Sequence, residues 1–351
     1  MEEIRERKAD HIEICMKERI APEHCFWNDI RLIHNALPEI GMDDIETSCT
    51  LFGRKLEMPL VVTAITGGFS GAVKINSNIA EACAEVGAGM GVGSERAGIN
   101  GICPESYAVV KEFDVPLVIG NVGAPQLVRQ RSKDRFDRAA VEKAFELVDA
   151  DVMAVHLNFL QEVVQPEGDT NGAGVRDAIR DLARDLPVIV KETGAGISRD
   201  VAERLKGIGI RGIDVAGMGG TSFSAVELYR ARKAGDKVRS SMGETFFDWG
   251  IPSPVSVMEC RGCGLPIIAS GGILNGLHVA NAVSLGASCA GLANPVLEAA
   301  VESADAVKEK LLMIKEELRA AMLLTGSKDL EALGKARRAI LGQTREWMES
   351  I

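Results

Sequence analysis

The sequence predicts a (β/α)₈ barrel, and three observations carry that prediction. Short apolar, β-branched runs recur from Pro59 onward, helical patterns separate them, and each run ends in glycine or polar residues. Alternation of this kind builds a parallel sheet, because parallel neighbours need a long crossover rather than a hairpin. Eight such units favour a closed barrel over an open doubly wound sheet. No GxGxxG follows the first run, which also argues against a dinucleotide fold of the Rossmann type.

The 351 residues are enough for two average domains, yet barrels of about 250 residues commonly form one. The expected organisation is an N-terminal extension over 1–57 serving as a lid, a barrel over 58–300, and a helical tail over 301–351 packed on it. Hydrophobic content of 46% with 37 glycines suits a large aliphatic core with many tight turns. The formal charge of −10 comes without a basic stripe, which argues against a nucleic-acid partner while leaving room for a small phosphorylated ligand. The charged start MEEIRERKADHIEICMKERI has no apolar core of a secretory leader. No apolar run reaches the roughly 18 residues of a membrane helix. Eight scattered cysteines do not make a disulfide scaffold, and Cys260 and Cys263 form a CxxC with no second pair to complete a zinc site. A cytoplasmic location follows as an expectation.

Taken in order, Ile4–Arg19 reads as a charged helix on which positions 7 and 11 share a face. Ile45–Leu56 reads as a strand pair around Gly53-Arg54. The eight strand runs are Leu60–Ile65, Ala88–Val92, Pro116–Ile119, Val152–Val155, Val188–Val190, Gly212–Val215, Pro266–Ala269 and Cys289–Leu292. Between them lie helical stretches at Ile75–Val86, Arg138–Val148, Arg176–Leu186, Arg199–Ile208, Ala225–Ala234 and Gly276–Leu285. Two connections exceed the usual length: Phe159–Asn171 after the fourth strand, and Ala234–Pro252 with Phe246, Phe247, Asp248 and Trp249. Both read as loops covering an active site. The tail from Val301 reads as two or three helices, with turns at Gly326 and Gly334.

A barrel keeps its site at the carboxyl ends of its strands. The residues there are Thr63 to Gly68, Ser94 to Arg96, Asn121, then His156, Asn158, Gln161 and Glu162. They continue with Lys191 and Glu192, Gly217 to Ser222, Ser270 to Gly272, and Ala293 with Asn294. The turn Ser270-Gly271-Gly272-Ile273 precedes a helix, as does Gly219-Gly220-Thr221-Ser222. Backbone N–H groups in such turns bind phosphate. Lys191 in an enclosed mouth needs an anionic partner. A flavin ring held by Asn121 and Ser94 would supply one; a Schiff-base lysine is the other reading. Gln161-Glu162 suits a divalent cation sharing oxygens with a diphosphate.

These stretches together resemble the FMN-dependent, type 2 isopentenyl-diphosphate isomerases. The matching segments are Arg7–His11, Thr66-Gly67-Gly68, GVGSER (Gly91–Arg96), Asn121–Ala124, HLNFLQEVVQPEGD (His156–Asp169) and VKETGAGIS (Val190–Ser198). They continue with GGTS (Gly219–Ser222), DWGIP (Asp248–Pro252), SGGI (Ser270–Ile273) and GLANPVL (Gly291–Leu297). HLNFLQEVVQPEGD is the most specific, whereas SGGI fits many flavin barrels. The resemblance implies an enzyme of isoprenoid biosynthesis interconverting isopentenyl and dimethylallyl diphosphate. It implies reduced FMN, NADPH or NADH as reductant, Mg²⁺, and a homotetramer.

By position, Thr63, Ala64, Ile65, Thr66, Ser94, Asn121, Lys191, Thr221, Gly271, Gly272, Ile273, Ala293 and Asn294 would hold FMN. Arg7, Lys8, Ser94, Arg96, His156, Asn158 and Gln161 would hold the substrate, and Glu162 the metal. The flavin would serve as the main acid and base, with Gln161 and His156 as the assisting side chains. Glu95 stands where the family often has glutamine, and is expected to point away from the diphosphate or to pair with Arg96. Leu274 stands where many relatives carry a basic residue, which removes one contact to the FMN phosphate. Two other readings compete. One is a flavin-barrel oxidoreductase acting on a 2-hydroxy acid or a nucleotide, which needs a base near the flavin; His278, the only late histidine, lies inside a helix. The other is a phosphate-binding barrel without catalysis.

Overall fold

A computed structural model of the chain describes residues 2–131 and 135–351. Eight strands close into a parallel barrel: β1 (Leu60–Val62), β2 (Gly89–Gly91), β3 (Val118–Gly123), β4 (Val152–His156), β5 (Val188–Lys191), β6 (Gly212–Asp214), β7 (Ile267–Ala269) and β8 (Cys289–Leu292). Spatial order follows chain order, and β8 closes onto β1 with Gly291 opposite Val61. The helices that bear on the site are α1 (Glu2–Lys17), α2 (Gly71–Val86), α3 (Arg138–Leu147), α4 (Phe159–Val164), α5 (Val175–Ala183) and α6 (Arg199–Leu205). They continue with α7 (Phe223–Ala234), α8 (Lys237–Thr245), α9 (Ser253–Cys260), α10 (Gly276–Leu285), α11 (Asn294–Glu302) and α12 (Ala304–Thr325).

β3 runs further than expected. The expected run ends at Ile119, yet Gly120–Gly123 continues the strand, paired with β4 from Ile119↔Val152 to Gly123↔His156. Ladder pairing and full burial outweigh the low strand propensity of glycine and asparagine. Asn121 therefore sits inside a strand and not beyond one. The next ladder sets His156 beside Lys191, so Gly123, His156 and Lys191 form a row at the carboxyl end.

The two long connections also differ from open loops. The first begins with α4, a short helix entered through Asn158 at φ +48°. The second contains α8, which packs along α7 and contributes nothing to the cavity lining. Its role is support: Ser222 Oγ, which caps α7, donates to Phe247 O at 2.8 Å.

The amino end of the barrel is plugged by the hairpin Cys49–Leu51 and Arg54–Leu56. Leu51 and Leu56 are fully buried against Val61, Leu117, Ile119, Ala154, Ile189 and Ile268. Each such leucine contributes about 1.5–3 kcal/mol by leaving water. At the opposite end α1 crosses the mouth, anchored by Ile14 and Ile20 against Ala225 and Val226 of α7. The two termini meet: Ile30–Leu32 pairs antiparallel with Arg338–Ile340, and the Asp29 carboxylate accepts from Thr344 N at 3.0 Å and Thr344 Oγ1 at 2.8 Å. No helix among the described residues is long and apolar enough to cross a membrane.

Candidate active site

The carboxyl ends of the strands open into a cavity of about 450 Å³. On one side stand two facing glycine turns. Gly271 and Gly272 have φ +92° and +81°, a backbone that L side chains rarely adopt. A Cβ on Gly271 would meet Gly217 O at 2.2 Å, and one on Gly220 would meet Gly272 N at 2.7 Å. Thr221, just before α7, and Ala293 and Asn294, at the start of α11, line the cavity beside these turns, where helix-terminal N–H groups favour anions. Trp27 braces the turn, its Nε1 donating to Gly271 O at 2.8 Å.

The floor is polar. Asn121 Nδ2 donates to Val92 O at 3.1 Å, which directs its Oδ1 to His156 Nδ1 at 2.8 Å. His156 therefore carries its proton on Nδ1 and leaves Nε2 as an acceptor. Burial, with Lys191, Lys8 and Arg96 nearby, pushes its pKa down to about 3, so the ring stays neutral. Lys191 Nζ donates to Glu192 O at 3.0 Å and lies 3.9 Å from Asp214 Oδ2. Asp214, inside the barrel, also accepts from Ser270 Oγ at 2.5 Å. Glu192 caps its own loop, accepting from the N–H groups of Thr193, Gly194 and Ala195.

The other side is cationic. Arg7 and Lys8 from α1 meet Arg96 across the cavity. Arg7 pairs with Glu167 at 3.3 Å and Arg96 with Asp169 at 3.0 Å. No carboxylate among the described residues pairs with Lys8. Burial and the two arginines push its pKa down to about 7. Between floor and cations lies a carboxylate network. Glu227 Oε1 accepts from Gln161 Nε2 at 2.7 Å and His11 Nε2 at 3.2 Å, while Oε2 accepts from Arg230 at 2.5 Å. Asn158 Nδ2 donates to Gln161 Oε1 at 2.5 Å, and Thr193 Oγ1 donates to Asn158 Oδ1 at 2.6 Å.

Sequence comparison decides the family. The chain is 44% identical over 348 residues to an isopentenyl-diphosphate delta-isomerase of Thermoplasma acidophilum, covering 99% of both chains. It is 46% identical over 352 residues to one of Methanothrix thermoacetophila, covering 99% of this chain and 96% of that one. The chain belongs to the isopentenyl-diphosphate delta-isomerase family. Residues 175–339 also match a family described as FMN-dependent dehydrogenase. Solved structures share the fold: a lactate oxidase of Pediococcus acidilactici at TM-score 0.65 and 17% identity, covering 90% of this chain and 84% of that one. A mandelate oxidase follows at 0.63 and 17%, covering 96% and 98%.

Within this isopentenyl-diphosphate delta-isomerase family member, all the residues expected from sequence to touch cofactor, substrate or metal line the one cavity. Glu95 is the exception among the neighbours of the motif: it turns away from the cavity, fully buried, and does not pair with Arg96. Glu162 Oε2 accepts from Gln165 Nε2 and Asp169 N, both at 2.6 Å, and Oε1 takes no donor among the described residues. No group of three or more histidine, cysteine, aspartate or glutamate side chains that could hold a metal ion occurs among the described residues. His278 is buried, accepts from Leu274 N at 3.3 Å and lies outside the cavity lining. Cys260 and Cys263 are free, buried thiols packed in the core.

Sequence reading did not find His11's carboxylate partner Glu227, nor Arg230 or Asp214. Glu227 and Arg230 look like ordinary charged positions of a helix, and Asp214 ends the short run Gly212-Ile213-Asp214. A charged residue closing an otherwise apolar strand run was the available signal for Asp214.

Proposed function

We propose that this chain interconverts isopentenyl diphosphate and dimethylallyl diphosphate with reduced FMN bound on the barrel mouth. The supporting observation is the division of one cavity into two anion-seeking ends: facing glycine turns on one side, and Arg7, Lys8 and Arg96 on the other. A flavin phosphate suits the first and a diphosphate the second, with Lys191 between them.

The reaction adds a proton at one carbon and removes one from another, with no net redox change. Reduced FMN, when bound, supplies proton exchange and an electron-rich ring beside the alkene. Lys191, Asn121, Ser94 and the loop Thr63–Thr66 would hold the ring. Thr221, Gly271, Gly272, Ile273, Ala293 and Asn294 would hold its phosphate. Arg7, Lys8, Arg96, His156 and Asn158 would hold the diphosphate, whose binding energy positions an alkene that has no polar handle of its own. Closure of α1 over the mouth would exclude water from the developing cation. Gln161 would sit at the reacting end, its amide fixed by Asn158 and by the Glu227 carboxylate. Mg²⁺ at Glu162 and reduction by NADPH or NADH belong to the same reading, as do a homo-oligomeric state and a cytoplasmic location.

The test is anaerobic turnover in D₂O with FMN, dithionite or NADPH, Mg²⁺ and isopentenyl diphosphate, followed by NMR. Deuterated dimethylallyl diphosphate without stoichiometric consumption of reductant supports the reading. Bound FMN with no isomer formed would overturn the activity, and no FMN binding would overturn the cofactor.

A further inference from the structure

Glu95 sits behind the floor of the site in an unusual position for an acid. It is fully buried, and its carboxyl lies against the backbone of β3. Oε2 accepts from Asn121 N at 2.7 Å, and Glu95 N donates to Asn121 O at 2.8 Å, so this one residue takes both backbone groups of Asn121 on that side. Oε1 is buried with no hydrogen-bond partner among the described residues. A Cβ on Gly120 would meet Glu95 Oε2 at 3.1 Å, Met153 Cε at 2.8 Å and Ala150 Cβ at 3.3 Å, which places the carboxyl between β3 and apolar groups.

Among the described residues, no cation pairs with this carboxyl. Arg96, next in the chain, is engaged by Asp169 at 3.0 Å. Tyr107 faces the carboxyl as a neutral phenol, its hydroxyl donating to Ser94 O at 2.7 Å, and burial together with Glu95 pushes its pKa far up. His156 and Asn121 lie on the cavity side of β3 and bond to each other. An ionised carboxylate here would keep one hydrogen bond and an unpartnered charged oxygen, a costly arrangement in a dry pocket.

We infer that Glu95 works as a neutral carboxylic acid that positions Asn121, and through it His156 and the Ser94–Arg96 turn, for cofactor binding. Burial agrees, raising its pKa to about 8. Above that value ionisation pulls the carboxyl toward water, and the turn and Asn121 lose their common anchor. The inference takes the flavin site as given but concerns the floor and not the reaction.

Two measurements test it on the full-length chain. FMN affinity, read by flavin fluorescence from pH 6 to 9.5, is expected to weaken at least tenfold over the alkaline half in the unaltered protein. Glu95→Gln, which keeps the acceptor for Asn121 N and cannot ionise, is expected to hold its affinity flat over the same range. Glu95→Ala is expected to bind weakly at every pH. The same alkaline loss in Glu95→Gln as in the unaltered protein overturns the inference, as does full-strength binding by Glu95→Ala. Denaturant titration of the FMN-free chain reads the acid separately. Stability that falls from pH 5 to 8 less steeply in Glu95→Gln supports a neutral acid, and parallel profiles overturn it. FMN failing to bind any variant at any pH would instead remove the flavin site and with it the positioning role.

Discussion

Gln161 Nε2 donates to Glu227 Oε1 over 2.7 Å, joining an amide of the cavity lining to a carboxylate that is 1% exposed. An amide alone is a poor proton acceptor. With Glu227 behind it, and His11 and Arg230 holding that carboxylate well within its ionised range, the amide keeps one orientation and a charge stands one bond away. Glu227→Gln is therefore expected to lower kcat by about 10²-fold, with a smaller change in KM. Steady-state rates of Gln161→Ala, Glu227→Gln and the double variant check it. The double variant should lose far less than the product of the two single losses, because the residues act as one unit.

Lys8 gives the cationic side of the cavity a pH dependence of its own. Its pKa is lowered to about 7, so it is charged below that value and neutral above it, and a diphosphate prefers the charged form. The KM for isopentenyl diphosphate is expected to rise by about tenfold from pH 7 to 9, while kcat at saturation is less affected because bound diphosphate restores the proton. In Lys8→Met the KM should start high and show no such rise.

On the proposed reading, Lys191 would place positive charge beside the reduced flavin ring. Lys191→Met is expected to lower the two-electron potential of bound FMN by about 30–60 mV, since about 30 mV corresponds to about 1.4 kcal/mol for two electrons. A spectroelectrochemical titration measures this without turnover. An unchanged potential would mean that Lys191 serves Asp214 and the barrel interior only.

The Glu162 carboxylate leaves one oxygen for a cation. Its raised pKa, caused by burial, should fall once Mg²⁺ is present. Glu162→Gln is expected to raise the Mg²⁺ concentration for half-maximal rate by about tenfold or more. Chelation should stop the unaltered enzyme, and added Mg²⁺ should restore it.

Gly271 tests the glycine-turn side of the cavity. Alanine there would have to adopt φ +92° with its Cβ 2.2 Å from Gly217 O. Gly271→Ala is expected to lose FMN binding and about 2 kcal/mol or more of stability. Denaturant titration with and without FMN separates the two losses.

The barrel was legible in the sequence because its strands announce themselves twice, by apolar β-branched content and by the polar residues that end them. Boundaries failed where those signals conflict. The apolar run ends at Ile119, and the ladder to β4 carries the strand on through Gly120 and Asn121. Phe159–Val164 looks like loop because a six-residue helix shows too little periodicity to register. Most residues expected to hold cofactor or substrate sit in short motifs at strand ends, whereas Arg7 and Lys8 come from α1, and the structure brings them all to one cavity. Glu227, Arg230 and Asp214 carry no such signature, since their meaning arises from partners far away in the chain. The strand Arg338–Ile340 is three half-buried residues, and its pairing with Ile30–Leu32 has no local cause in either segment.

That pairing also ties the glycine turn to a distant part of the chain. The turn at Gly271 accepts from Trp27, Asp29 stands two residues beyond Trp27, and the Asp29 carboxylate is held by Thr344 in the helix Gly342–Ser350. Two side chains thus link the rim of the cavity to a helix that contributes nothing to its lining.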